Sequence, residues 1–260
     1  VIECGERKKQ YEIKKEGHHF LDIAFIGDGP IEWIQSYEPK ITIKPQTQQY
    51  ESITIHGVNI YKDINIPSKH PSLQFLATDL RLVSHCFGQS IFQTLSASVS
   101  IFLNESIPAY NGLTYHSVDG AGWLVAQGMD IGKAGHIEIY NVNEYISDRK
   151  LWGEGGLLLH EFVHAFHEQM IPNGFENRTV KIAYENAMEE QLYESVPCHG
   201  QAIPCKAYAC TDVKEYFAEI SVAYFGKDCS EFNKWFPYNR TQLYEWDPVA
   251  IEMCLKIWDI

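Results

Sequence analysis

The chain has 260 residues, which fits one large domain or one domain with an extension. Its 45% hydrophobic and 13% aromatic content permits a sizeable core, and no apolar run approaches the roughly 20 residues of a membrane-spanning helix. A net charge of −13 argues against nucleic acid or an anionic membrane surface as partner, because both are recognised by basic patches.

Residues 1–19 are charged and polar (Glu6, Arg7, Lys8, Lys9, Lys14, Lys15) and read as a surface arm. His18 and His19 point apart on an extended chain, so they do not form a metal pair. Residues 20–60 read as β: runs at 20–26, 31–33, 40–44 and 51–60 are apolar, alternating or β-branched. Turns fall at Gly27-Asp28-Gly29-Pro30 and Glu38-Pro39. A polar joint at 45–49 suggests a β-rich extension over residues 1–52 and a main domain over 53–260. The start at Val1 reads as a processed or trimmed form.

A helix is predicted from Pro71 to about Leu95, with Leu73, Leu76, Leu80, Val83, Phe87 and Ile91 on one stripe and proline in its first turn. A strand follows at 98–103. Residues 104–134 are glycine-rich and read as irregular, and 135–140 read as a second strand. The next helix, from Gly155 and Gly156 to the stop at Ile171-Pro172-Asn173-Gly174, carries His160-Glu161-Phe162-Val163-His164. Leu158, Leu159, Phe162, Val163 and Phe166 give it an apolar face. Histidines four apart share a helical face and can aim one nitrogen each at a zinc ion. Glu161 sits round the same turn, within reach of a zinc-bound water as general base.

Further helices are expected at 179–193, at 211–225 with Thr211 as N-cap and Gly226 as a C-terminal glycine, and from Asp247-Pro248 to Trp258. A zinc site needs a third ligand. Glu215 and Glu219, four apart among Tyr216, Phe217, Ile220 and Val222, are one option: two carboxylates on a partly buried face are costly without a cation. Zinc would then bind Glu215 while Glu219 supports a ligand histidine. Glu185 and Glu189, on a more polar helix, are the rival pair. His167 is rotated away from the ligand pair. The position where a metzincin would carry its third histidine is Met170. His116, His136 and His199 read as ordinary structural histidines, with a place lining the cleft as the alternative.

There are seven cysteines, four of them between 198 and 229, with no C-x-x-C pair. Together with sequons at Asn104, Asn177 and Asn239, they suggest a secreted glycoprotein with two or three disulfides and Cys86 unpaired.

His160-Glu161-x-x-His164 followed by Glu215-Tyr216-Phe217-Ala218-Glu219 resembles the gluzincin peptidases of the anthrax lethal factor and Pro-Pro endopeptidase type. The likeness spans roughly residues 53–260 and is strongest over 154–258. It implies a zincin-like α+β domain with a small twisted mixed sheet, a zinc-binding active-site helix and a mainly helical C-terminal half. It implies Zn2+ on His160, His164 and Glu215, with Glu161 as base, Glu219 in support and Tyr208 facing the oxyanion. An extended substrate is expected to add to an edge strand at Ile137, Glu138 and Ile139. The cysteines at 198, 205 and 210 depart from the bacterial pattern and are expected to staple the loop presenting Tyr208. The implied protein is a secreted, monomeric zinc metalloendopeptidase acting on peptide or protein substrates. The alternative is a binding protein or toxin component that keeps the scaffold without turnover.

Overall fold

A computed structural model of the chain describes residues 49–108, 110–226 and 232–258, and the backbone of 12–14 and 22–24. The chain divides into two units, Val1–Ile43 and Lys44–Ile260. In the first, β1 (Glu12–Lys14) and β2 (Asp22–Ala24) pair antiparallel, with Ile13 opposite Ile23. The strands expected at 31–33 and 40–44 lie outside the described residues.

The second unit opens with β3 (Tyr50–Ile55) and β4 (Val58–Asp63), paired antiparallel from Tyr50↔Asp63 to Ile55↔Val58. The expected boundary at 52/53 falls within β3, and the two compact units divide at Ile43/Lys44. The single strand expected over 51–60 is a hairpin. His56 and Gly57 both take positive φ, 47° and 85°, which suits a two-residue turn matched to strand twist.

The remaining elements are α1 (Pro71–Ser98), β5 (Ile101–Leu103), β6 (Leu113–Tyr115), α2 (Ala121–Ala126) and β7 (Ile137–Ile139). They are followed by α3 (Val142–Trp152), α4 (Gly156–Gln169), α5 (Arg178–Glu189), α6 (Val213–Phe225), α7 (Arg240–Trp246) and α8 (Pro248–Trp258). Gly88 interrupts α1 with non-helical angles. The N-cap of α6 is Asp212, one residue after the expected Thr211, and Gly226 ends it at a φ of −64° rather than in the left-handed region.

The sheet order is β3-β4-β5-β7-β6, with β4, β5 and β7 parallel and β3 and β6 antiparallel at the edges. The architecture is therefore α+β: among the described residues, a mixed five-stranded sheet and eight α-helices. The strand expected at the edge, β7, is interior, with β5 on one side and β6 on the other. Ile137, Glu138 and Ile139 are each 0% exposed, so they cannot receive a substrate strand. The edge belongs to β6, inside the stretch read as irregular.

Ile60, Ile101 and Ile137 sit side by side across three strands and join the core with Leu76, Leu80 and Val83 of α1. Trp258 of α8 stacks on Phe166 of α4 (4.2 Å between centroids) and on Phe87 of α1 (5.3 Å). Among the described residues, no helix is long and apolar enough to cross a membrane.

Candidate metal centre and cleft

The helix bearing the histidines starts where only glycine fits. A Cβ on Gly156 would lie 1.8 Å from the carbonyl oxygen of Phe232. From there α4 is buried almost throughout, and its apolar residues fix the face that His160 and His164 present. Their Nε2 atoms approach to 3.0 Å. Glu215 Oε2 lies 3.0 Å from His160 Nε2 and 3.2 Å from His164 Nε2. Ligands of a tetrahedral, zinc-sized ion stand roughly 3.3–3.5 Å apart, so the triangle fits such an ion with a slight outward movement. When His160 carries its proton on Nδ1, its Nε2 joins the Glu215 oxygen as an acceptor, and a cation between them relieves the crowding. These three residues form a group that can hold a metal ion.

α6 packs against α4 and supplies both carboxylates. Burial alone would raise Glu215, but hydrogen bonds with His160 and His164 outweigh it and hold this carboxyl well below the usual carboxylate range. Glu219 is 1% exposed, and burial pushes its carboxyl up. Its Oε1 lies 3.3 Å from His160 Nδ1, at ion-pair distance, and His160 and Asn233 offset part of the burial. A carboxylate buried in that state needs a positive neighbour. An ion on His160 Nε2 would supply one by fixing the proton on Nδ1, towards Glu219. The rivals Glu185 and Glu189 are exposed on α5.

Glu161 is held by the sheet edge: the backbone N–H of Tyr115 in β6 donates to its Oε2 across 2.6 Å. The strand is in turn clamped to the end of α4. Glu168 accepts from the Tyr115 hydroxyl (2.7 Å), the Ser117 hydroxyl and the Val118 N–H (3.0 Å). Tyr208 stands on the opposite wall, 42% exposed, its ring stacked at 5.8 Å on Trp235 and 6.2 Å from the ring of His160. Partial burial, followed by the charges of Glu215 and Glu161, pushes its hydroxyl well up, so it stays a proton donor. The cleft between these walls measures about 270 Å³. Trp152 and Trp235, packed edge to face at 5.6 Å, extend its aromatic side, and Phe175 and Lys214 close another.

Sequence reasoning missed Tyr115, Glu168, Trp152, Trp235 and Lys214. The only local signal was a high tryptophan content, which does not say where the rings meet.

Glu138 belongs to a separate buried cluster. It takes hydrogen bonds from Lys133 and Asn104 (2.9 Å) and pairs with His116 Nε2 (2.8 Å). Burial alone would raise its pKa, but His116 and Lys133 lower it below the usual carboxylate value. His116, His136 and His199 do not line the cleft. His167 is 0% exposed between Phe175 and Phe217, with both ring nitrogens unpartnered, and burial lowers its pKa to about 3.

Two of the three sequon asparagines are buried. Asn104 is 0% exposed, with its amide committed to Glu138 and the Ile139 carbonyl. Asn239 is buried and caps α7, and Asn177 caps α5. No two cysteine sulfurs among the described residues lie at bonding distance, although the Cys198 thiol contacts that of Cys205 and is pushed up by burial and by that contact. Cys4 and Cys229 lie outside the described residues.

No protein-family model matches the chain, and neither a curated protein nor a solved structure matches it.

Proposed function

We propose that this chain is a zinc-dependent endopeptidase built on a zincin-like domain. The observation that carries the reading is the junction at Glu161: a carboxylate next to a His160–His164–Glu215 triangle and hydrogen-bonded to the N–H of an edge strand. A metal-binding helix alone would not need that arrangement. The motif resemblance to the gluzincins points the same way.

His160, His164 and Glu215 would hold the ion, which when bound supplies Lewis acidity towards a carbonyl and makes water a better nucleophile. Glu161 takes the proton of the attacking water and returns it to the leaving amine. Tyr208 donates to the oxygen that gains charge in the transition state. Glu219 fixes the His160 ring through Nδ1.

The substrate is a peptide lying along β6. Gly112 bonds inward to Tyr140 and His116 to Gly135 and His136, the residues flanking β7, so by alternation the backbone groups of Leu113 and Tyr115 face the cleft. A peptide there would pair with the free groups of the strand and pass beside Glu161.

The test is metal content per chain together with cleavage of a random peptide mixture, read by mass spectrometry. The reading requires one zinc per chain, loss of that zinc in Glu215→Ala, and cleavage that stops with a chelator. A folded chain that binds no metal, or that binds zinc and cleaves nothing, is incompatible with it.

A further inference from the structure

The cleft has one cationic side chain, Lys214, among the residues that line it. The chain as a whole carries 34 acidic against 21 basic residues, so an unmatched cation is unusual here. Lys214 is half-buried, and its Nζ rests 5.0 Å from the ring centroid of Phe175. That seat holds the ammonium at the cleft without neutralising it. The neighbouring carboxylates are committed elsewhere: Asp212 Oδ1 accepts from the N–H groups of Lys214 and Glu215, and Glu215 Oε2 faces the two histidines. Among the described residues, no carboxylate lies within ion-pair distance of Lys214. Lys234 lies over the ring of Trp235 (4.8 Å) and is not part of the lining. Apart from the carboxylates and histidines of the candidate metal centre, the lining therefore combines the rings of Trp152, Trp235 and Tyr208 with a single lysine, Lys214.

We infer that the cleft selects peptides bearing a carboxylate, from an aspartate or glutamate side chain or from the peptide C-terminus, which pairs with Lys214; this rests on the peptide-binding reading of the site. A half-buried ammonium with a single partner gains more from pairing than an exposed one, which makes the carboxylate a specificity determinant. The pairing involves no bond change, only exchange of the lysine's water for a carboxylate.

The experiment uses the full chain with Glu161→Gln, which binds without turning over. Random octapeptides with one position fixed as Glu, Gln or Lys, each as free acid and as C-terminal amide, are titrated against it, and the fluorescence of Trp152 and Trp235 reports occupancy. Glu peptides are expected to bind about tenfold tighter than Gln peptides. Adding Lys214→Met should erase that difference, and adding Lys214→Glu should invert it towards Lys peptides, with metal content unchanged in each. If only free acids gain, the C-terminus is the source. Equal binding of Glu and Gln peptides, a preference that survives Lys214→Met, or no binding at all overturns the inference. Cleavage by the native chain is scored separately. Preference without cleavage sinks the peptidase reading and leaves the pairing standing, and cleavage without preference does the reverse.

Discussion

Tyr115 and Glu161 meet across 2.6 Å, the backbone N–H of the edge strand donating to the carboxylate on the helix. The contact joins the strand proposed to receive the substrate to the group proposed to move the proton. It is a charge-assisted bond, so it orients the carboxylate. Glu161→Ala should retain one zinc per chain and lose activity by about 10²–10⁴-fold. Loss of the metal along with the activity would make Glu161 a structural residue.

Tyr208→Phe separates binding from transition-state stabilisation. The ring still stacks on Trp235, so KM should change little, while kcat falls by about 10²–10³-fold. A rise in KM at constant kcat would assign the tyrosine to ground-state binding.

Glu219→Gln removes the charge behind His160 while keeping the shape. Zinc affinity, measured by competition with a chromogenic chelator, should fall by about 10–100-fold. Unchanged affinity would reduce Glu219 to a packing residue.

His167 sets an acid limb on stability. Its folded pKa is lowered by burial to about 3 from an ordinary value of 6.5. The unfolded chain therefore takes up the proton first as pH falls. The stability contribution is complete above the ordinary value and declines towards the folded one, by up to about 1.4 kcal/mol per pH unit. His167→Leu should be neutral or stabilising at pH 7, since both nitrogens lack partners, and should flatten the decline between pH 6 and 4. Urea melts across that range would show the difference in slope, and identical slopes would place a partner on the ring.

Gly156→Ala tests the start of α4. Alanine in a helix normally gains about 1 kcal/mol over glycine. Here its Cβ would lie 1.8 Å from a backbone oxygen, which cannot swing aside as a side chain can. Overpacking of this kind costs about 1–3 kcal/mol or more, so the clash wins and thermal stability should drop. A rise in Tm would show that the 232 segment yields freely.

Local pattern carried the helix elements of the site. The His160/His164 spacing sits on a strongly apolar helix, and the Glu215/Glu219 pair is legible because two carboxylates keep such apolar company. Tyr208 was reached only through resemblance, since no local rule singles out a tyrosine in that loop. Glu138 was misplaced because strand order depends on non-local pairing: from sequence, 135–140 has the stronger β pattern, while the three residues of β6 lie in a glycine-rich stretch too short to show alternation. Trp152, Trp235 and Lys214 come together from α3, a loop and α6, a meeting that exists only in three dimensions. The sequon at Asn104 shows the converse, since a three-residue motif says nothing about whether its asparagine is inside.

α4 alone carries His160, Glu161 and His164, and through Glu168 it also grips the strand beside them. The parts proposed to choose the substrate are mounted elsewhere. On the reading above, a change at Lys214 would alter the choice of peptide and leave α4, with its two histidines and Glu161, in place. Trp235 is different, because Tyr208 stacks on it and a change there reaches the chemistry as well as the choice.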